Sequence, residues 1–287
     1  MAVETPTDLD AALRAAGEVP GALIMAGGTD VMVEVNAGRR RSDLLADKVI
    51  SLDRVSELRR WSHDPDGATL TLGAGLTYTE LMTEPLASML PALAEASRTV
   101  GSPQIRNAGT VGGNLATCSP AGDTLPVLAA LDAEVHLASA AGERTLPVGE
   151  FMLGVKTTAL RAGELIVAVT VPVLRGTQGY AKVGVRNAMV IAIASACVVT
   201  DEEARTVRIA LGSVAPTVIR CSDAEHFAAA NLDWELGASA PGLGAEIGAL
   251  AAADARPIDD HRSTAAYRSH AVALLVGRLI RRGFPDA

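Results

Sequence analysis

The chain has 287 residues and a net charge of −8 at pH 7, so it lacks the basic surface that nucleic-acid phosphates require. Hydrophobic residues make up 49% of it and aromatic residues only 3%, which permits one large or two ordinary domains with an aliphatic core. No charge-free apolar run of about twenty residues occurs, and the N-terminus does not resemble a secretory signal. We therefore expect a cytoplasmic protein without a membrane span.

Cysteine usage points the same way. Cys118, Cys197 and Cys221 are odd in number and far apart, which suits a reducing compartment better than a disulfide framework. No CxxC pair and no histidine-rich run is present. We therefore expect no zinc or iron–sulfur site built by this chain alone.

The first third of the chain alternates short apolar runs with helical patterns. A helix is predicted over 7–16, and strands that end in turns are predicted over 22–26, 48–52 and 68–72. Thr77 and Glu80 have the spacing of a capping box, which predicts that a helix begins there.

The middle of the chain contains a long segment without periodicity. A helix predicted over 91–100 leads into residues 101–123, which are rich in Gly, Asn, Ser and Pro. A segment of this kind inside a compact chain is usually functional. An apolar run over 125–131 and strands over 134–138 and 165–171 are predicted to follow.

A change of pattern near residue 175 predicts a domain boundary, where Pro172, Gly176 and Gly179 lie close together. Beyond it, strands rich in Val and Ile are predicted over 181–184, 192–200 and 207–214. A closing helix is predicted over 264–282. Its apolar face is expected to carry Tyr267, Ala271, Leu274, Leu275 and Leu279.

Two glycine-rich segments carry the functional signal. Residues 25–30 read Met-Ala-Gly-Gly-Thr-Asp after a predicted strand, and residues 109–114 read Gly-Thr-Val-Gly-Gly-Asn. Paired glycines let the backbone approach an anion, and consecutive N–H groups can form an anion-binding nest, although each segment alone is more often a turn. Asp123 follows the second segment and suits a sugar hydroxyl. Neither segment fits GxGxxG or the P-loop, which disfavours a Rossmann domain and an NTPase.

Together, residues 26–30, 110–116 and 119–123 resemble the FAD-binding medium subunit of the molybdenum hydroxylases, the family of carbon monoxide and xanthine dehydrogenases. The resemblance spans nearly the whole chain and includes 104–107, 128–133 and 262–268. It implies an α+β fold with a two-lobed FAD-binding domain of the vanillyl-alcohol-oxidase (PCMH) type over 1–175, with lobes of about 1–54 and 55–175. It also implies a C-terminal α+β domain over 176–287 with a three-stranded antiparallel sheet.

The resemblance further implies that this chain carries cofactor-binding residues but no catalytic or metal-binding ones. Backbone N–H groups of the two loops would bind the pyrophosphate and ribityl region, and Asp123 would hold a ribose or ribityl hydroxyl. Ile166 and Lys182 would lie near the flavin ring, where Lys182 would stabilise reduced, anionic flavin. The alternative for Lys182 is a solvated strand lysine. The implied cofactor residues are Ile24, Met25, Ala26, Gly27, Gly28, Thr29, Asp30, Val31, Val100, Thr110, Val111, Gly112, Gly113, Asn114, Asp123, Ile166 and Lys182.

By this resemblance the chain is an electron-transfer subunit. A large molybdopterin-binding subunit would oxidise the substrate, and a small subunit with two [2Fe-2S] clusters would relay electrons to the FAD. The FAD would pass them to an acceptor such as NAD or a quinone, within a dimer of heterotrimers. Two alternatives remain open: a self-sufficient FAD-dependent oxidoreductase, which should show a substrate-binding aromatic or polar cluster, and a non-catalytic scaffold that binds no flavin.

Overall fold

The computed structural model describes residues 2–19, 21–38 and 48–287. The strands are β1 Ala2–Glu4, β2 Leu23–Met25, β3 Lys48–Ser51, β4 Trp61–His63, β5 Thr69–Gly73, β6 Glu134–Ser139, β7 Gly142–Pro147, β8 Met152–Gly154, β9 Thr157–Thr158, β10 Leu165–Pro172, β11 Gln178–Val183, β12 Ala194–Asp201, β13 Thr206–Gly212 and β14 Ile219–Arg220. The helices are α1 Leu9–Glu18, α2 Val31–Asn36, α3 Tyr78–Leu81, α4 Leu86–Met89, α5 Pro91–Thr99, α6 Pro103–Ala108, α7 Val111–Thr117, α8 Leu125–Ala130, α9 Val148–Phe151, α10 Ser222–Asn231, α11 Leu243–Asp254 and α12 Ala265–Gly283. In these ranges no helix has both the length and the apolar content that crossing a bilayer requires.

The first lobe is a three-stranded parallel sheet in the order β1-β3-β2, with α1 packed against it. Helix α1 begins at Asp8, whose carboxylate accepts the N–H of Ala11 at 2.8 Å. Its alanines, including Ala12 and Ala16, share a small core with Ile50 of β3. The helix and the two strands predicted in this part of the chain are confirmed, with ends within two residues of those expected.

The second lobe is built on a five-stranded antiparallel sheet in the order β4-β5-β10-β6-β7. The sheet shares one core with helices such as α5, α8 and α9, and this core includes Leu72, Leu93 and Phe151. The predicted capping box is confirmed at the start of α3. The N–H of Thr77 donates to Glu80 Oε2 at 2.9 Å, and the N–H of Glu80 donates to Thr77 Oγ1 at 3.2 Å.

The segment over 101–123 is more regular than its composition indicated, because it contains the short helices α6 and α7. Each begins at a hydroxyl cap. Ser102 Oγ accepts the N–H of Ile105 at 3.4 Å, and Thr110 Oγ1 accepts the N–H of Gly113 at 3.0 Å. Helices of six and seven residues are too short to show an apolar period, so the interpretation of this segment as aperiodic turns was wrong.

The C-terminal sheet is antiparallel in the order β11-β12-β13-β14. It has the three long strands that were expected and a fourth of only two residues. Along β12 the side chains alternate between two cores: Ala196 and Val198 face the helices α10 to α12, while Cys197 and Val199 join the core of the second lobe. The sheet is therefore buried on both faces and packs directly on the second lobe.

Helix α12 confirms the predicted closing helix, but its buried face is wider than predicted. Of the residues on the predicted apolar face, Ala271, Leu275 and Leu279 are buried, whereas Tyr267 and Leu274 are 47% and 46% exposed. The helix packs against the sheet on one side and against α11 on the other, which leaves only a narrow exposed strip. Tyr267 and Leu274 lie on that strip.

The three cysteines are buried and their thiols are free. Cys118 follows α7 in the left-handed conformation, with φ of 45°, and its Sγ lies 3.7 Å from the carbonyl oxygen of Gly154. Burial raises the pKa of this thiol. Cys118 is therefore a packed residue.

Candidate cofactor-binding site

A cleft between the first and second lobes holds two adjoining cavities, of about 370 Å³ and about 260 Å³. Six residues line both cavities and form the wall between them: Ile24, Ala26, Gly27, Thr110, Gly113 and Ala116. The two glycine-rich segments, far apart in the chain, therefore meet at this shared wall. The arrangement is one elongated cleft with two chambers.

The first chamber is mainly apolar. Leu52, Leu58, Leu165 and Ile166 line it, and Glu164 stands at its edge. Arg144 donates two hydrogen bonds to the Glu164 carboxylate, at 2.7 and 2.8 Å, and thereby holds its pKa below the usual range. A chamber with apolar walls and few polar groups suits a flat ring system.

The second chamber contains a row of backbone donors. The N–H groups of Gly27 to Val31 have no acceptor anywhere in the described ranges, and all five residues line this chamber. Gly28 has a φ of +68°, a conformation that glycine adopts without strain and that turns the chain into the N-terminus of α2. Consecutive N–H groups of this kind form an anion-binding nest.

The second glycine-rich segment has no such row, because its N–H groups are already used within the protein. Those of residues 111–114 donate, in order, to the carbonyl oxygens of Leu76 (3.0 Å) and Ala74 (2.8 Å), to Thr110 Oγ1 (3.0 Å) and to the carbonyl oxygen of Thr110 (3.0 Å). The expectation that both segments offer backbone donors is therefore wrong for these four N–H groups. The second glycine-rich segment instead forms part of the wall of the cleft.

The paired glycines also divide into two kinds. A Cβ on Gly27 would lie 1.7 Å from the carbonyl oxygen of Ala108, and a Cβ on Gly112 would lie 2.6 Å from the Cβ of Ala74. These two glycines are needed for packing between protein segments. A Cβ on Gly113, by contrast, would meet only Thr110 Oγ1, at 3.0 Å. Gly113, on the wall shared by both chambers, is thus the glycine of the second segment that lets a ligand come close.

Two polar contacts join the lobes beside the second chamber. Lys156 Nζ lies 2.7 Å from Glu34 Oε1, and Thr117 Oγ1 donates to Asp30 Oδ2 at 2.9 Å. All four residues line the chamber. The side chains of the first lobe therefore reach across the cleft to the second lobe.

Asp123 and Lys182 form a buried ion pair that lines neither chamber. Lys182 Nζ donates to Asp123 Oδ2 at 2.6 Å and to the carbonyl oxygens of Thr99 and Val190, each at 3.0 Å. The Tyr180 hydroxyl donates to Asp123 Oδ1 at 2.7 Å. The side chain of Lys182 is only 7% exposed, so the alternative of a solvated strand lysine is wrong.

The predicted cofactor residues thus fall into two groups. Residues 24–31, Thr110, Gly112, Gly113, Asn114 and Ile166 line one or both chambers, whereas Val100, Val111, Asp123 and Lys182 line neither. Sequence reasoning missed Tyr78, Ala116, Thr117 and Lys156, which also line the second chamber. Ala116 ends the second glycine-rich motif, but no local motif marks Tyr78, Thr117 or Lys156 as site residues, because the packing of distant segments brings them to the cleft.

Two family models match the chain. The model described as "FAD binding domain in molybdopterin dehydrogenase" matches residues 1–174, and the model described as "CO dehydrogenase flavoprotein C-terminal domain" matches residues 179–282. Among curated proteins, the chain is 30% identical to the xanthine dehydrogenase FAD-binding subunit of Escherichia coli O157:H7 over 76% of this chain and 75% of the relative. It is 32% identical to the 6-hydroxypseudooxynicotine dehydrogenase complex subunit alpha of Paenarthrobacter nicotinovorans, over 93% and 88%.

Solved structures agree in fold. Reconstituted CO dehydrogenase from Oligotropha carboxidovorans superposes with a TM-score of 0.87 at 26% identity, covering 100% of this chain and 98% of that chain. Quinoline 2-oxidoreductase from Pseudomonas putida 86 gives 0.87 at 25% identity, covering 99% and 96%. The chain therefore belongs to the family of molybdopterin dehydrogenase FAD-binding subunits that carry the C-terminal domain of the CO dehydrogenase flavoproteins.

Proposed function

We propose that this chain is the FAD-binding, electron-transfer subunit of a molybdenum hydroxylase complex. The observation that carries the proposal is the row of five N–H groups at Gly27 to Val31, which have no acceptor among the described residues and line the second chamber of the cleft. The family to which the chain belongs binds FAD, and the nest would hold the phosphates of this cofactor. Because the pyrophosphate of FAD lies between its two ring systems, a nest that begins at Gly27 on the shared wall and lines the second chamber fits this cofactor in charge and position.

Residues 24–31 and 110–114 would hold the pyrophosphate region, with free backbone donors from the first segment and close approach at Gly113 from the second. Ile166 would contact a ring system in the apolar chamber. Asp123, Lys182 and Val100 line neither chamber, and we propose that they too contact the cofactor. The Asp123 carboxylate accepts hydrogen bonds from Tyr180 and Lys182, and its two oxygens offer about four lone pairs in all, so it can also accept a cofactor hydroxyl.

Bound FAD would supply the ability to accept electrons one at a time and release them as a pair. The contribution of this chain is to bind and orient the cofactor and to exclude water from it. We propose that the partners are a large molybdopterin-binding subunit and a small [2Fe-2S] subunit, in a dimer of heterotrimers, with NAD or a quinone as acceptor. The three free cysteines favour a reducing compartment such as the cytoplasm.

We assign the FAD-binding domain to residues 1–175, with lobes of about 1–54 and 55–175, and the C-terminal domain to 176–287. The ranges matched by the two family models, 1–174 and 179–282, support this division. The core shared by Val199 of β12 and the second lobe argues that the two domains are rigidly joined.

Affinity purification of the tagged chain from its native cells, with flavin, iron and molybdenum measured in the purified material, tests the proposal. We expect two co-purifying subunits, one FAD per chain, and both metals. A screen of NAD and quinones with the complex then identifies the acceptor. A chain that purifies alone with FAD and oxidises a substrate by itself would favour the self-sufficient oxidoreductase, and one without FAD would favour the scaffold.

A further inference from the structure

Tyr78 is held rigidly at the second chamber. It is the first residue of α3, directly after the capping residue Thr77, and is only 4% exposed. Its N–H donates to the carbonyl oxygen of Gly109 at 3.1 Å. A Cβ on Gly109 would lie 2.7 Å from Cε2 of the Tyr78 ring, so the ring packs directly on that glycine. Backbone and ring are therefore both fixed against the second glycine-rich segment.

The hydroxyl of Tyr78 differs from the ring, which packs against Gly109. Tyr78 lines the second chamber, and within the described part of the chain no group forms a hydrogen bond with its hydroxyl. The other buried tyrosine behaves differently, because the Tyr180 hydroxyl donates to Asp123 at 2.7 Å. The hydroxyl groups of buried tyrosine residues are normally hydrogen-bonded, so one without a partner on a residue that lines a binding chamber indicates a ligand.

The electrostatic surroundings keep this hydroxyl protonated. Burial raises the pKa of Tyr78, and the negative charges of Asp30 and Asp123 raise it further. The Tyr78 hydroxyl therefore keeps its proton at every physiological pH and can donate a hydrogen bond to an acceptor in the chamber. The same chamber contains the free N–H groups of Gly27 to Val31, which also seek an acceptor. A phosphate oxygen satisfies both kinds of donor.

We infer that Tyr78 is a cofactor-binding residue whose hydroxyl donates a hydrogen bond to a pyrophosphate oxygen of FAD. The inference rests on the proposed function and adds a side-chain donor to a nest that otherwise consists of backbone groups. It also explains why residue 109 is a glycine: the Tyr78 ring occupies the space of a side chain there.

The test compares Tyr78→Phe with the matched control Tyr267→Phe in the full-length chain. Both variants lose only a hydroxyl, and Tyr267 lies exposed on α12, far along the chain from the cleft. FAD affinity is measured by titration of flavin fluorescence, and the phosphates of bound FAD are observed by ³¹P NMR at saturating protein. Urea unfolding without FAD checks that both variants fold like the wild type.

We expect Tyr78→Phe to raise the Kd for FAD by roughly tenfold, the usual cost of a lost hydrogen bond to a charged group, and to shift one of the two phosphate resonances. Tyr267→Phe should change neither. A Tyr78→Phe Kd within twofold of the wild type, or unchanged phosphate resonances, overturns the inference. If the folded wild-type chain binds no FAD at all, the proposed function fails instead, and the two failures are thereby distinguished.

Discussion

Gly27 of the first lobe lies so close to Ala108 of the second lobe that a Cβ on residue 27 would stand 1.7 Å from the Ala108 carbonyl oxygen. The contact is between backbones, so no side-chain rotation can relieve it. The first glycine of the anion-binding segment therefore fixes how closely the two lobes approach. Its neighbour Gly28, with a φ of +68°, shapes the turn that presents the free N–H groups.

Substitution of one glycine in each segment by alanine should have very different effects on the stability of the chain. Gly27→Ala should destabilise the chain by about 3 kcal/mol, because backbone must move to accommodate the methyl group. Gly113→Ala should change stability by less than about 1 kcal/mol, because the new Cβ meets only the Thr110 hydroxyl. Urea unfolding without FAD measures both. Equal losses of stability would mean that the lobes do not pack as described.

Gly113→Val extends this comparison to cofactor binding. The larger side chain would project from the wall shared by both chambers, so FAD retention should be lost while apo stability changes little. Flavin content after desalting, together with urea unfolding, measures the two effects separately. A variant with normal flavin content would contradict the placement of Gly113 beside the cofactor.

The buried pair of Asp123 and Lys182 should matter far more for stability than the exposed pair of Lys156 and Glu34. Lys182→Met leaves the Asp123 carboxylate buried without its cation, which costs about 3–5 kcal/mol. Lys156→Met removes a cation that is 58% exposed, so the loss should stay below about 1 kcal/mol. The free energy of unfolding in urea checks both values. Similar losses for the two variants would contradict the burial of Lys182.

Asp260 predicts a pH dependence of stability in the acid range. Hydrogen bonds from the N–H of Arg262 and from the Arg268 side chain lower the pKa of this carboxyl from 3.8 to about 2. A lowered pKa favours the charged form in the folded state. The stabilisation is therefore complete above about pH 4 and is lost as the pH falls toward 2.

The difference in unfolding free energy between the wild type and Asp260→Asn should consequently shrink from pH 5 to pH 2. Urea unfolding across that range measures it, with Asp66→Asn, an exposed turn residue, as the control. A difference that is constant over this range would show that the Asp260 charge does not contribute.

The three thiols should be inert in the folded chain. Burial raises the pKa of Cys221 to about 12 and also raises those of Cys118 and Cys197. At pH 8 a disulfide reagent such as DTNB should label none of them quickly, and it should label all three after unfolding in urea. Rapid labelling of one thiol in the native chain would contradict its burial.

Local signals in the sequence predicted the elements well. The capping box of Thr77 and Glu80 depends on neighbours within three residues, so the sequence reveals it directly. Helices α6 and α7 escaped prediction because their hydroxyl caps are followed by too few residues to establish a period.

The site was predictable only in part, because much of it depends on contacts between distant segments. The contact of Gly27 with Ala108 and the placing of Tyr78 and Lys156 in the second chamber arise from lobe packing, which no local pattern encodes. The ion pair of Lys182 with Asp123 could not be predicted from the sequence either. It forms because Lys182 lies on a sheet that is buried on both faces.

A titration of the purified, flavin-free chain with FAD tests the central claim most directly. Flavin fluorescence and visible absorbance report the bound fraction, and urea unfolding without FAD confirms that the chain is folded. We expect saturable binding of one FAD per chain and a higher unfolding midpoint when FAD is present, since a ligand that binds only the native state stabilises it. A folded chain that takes up no FAD would contradict this expectation.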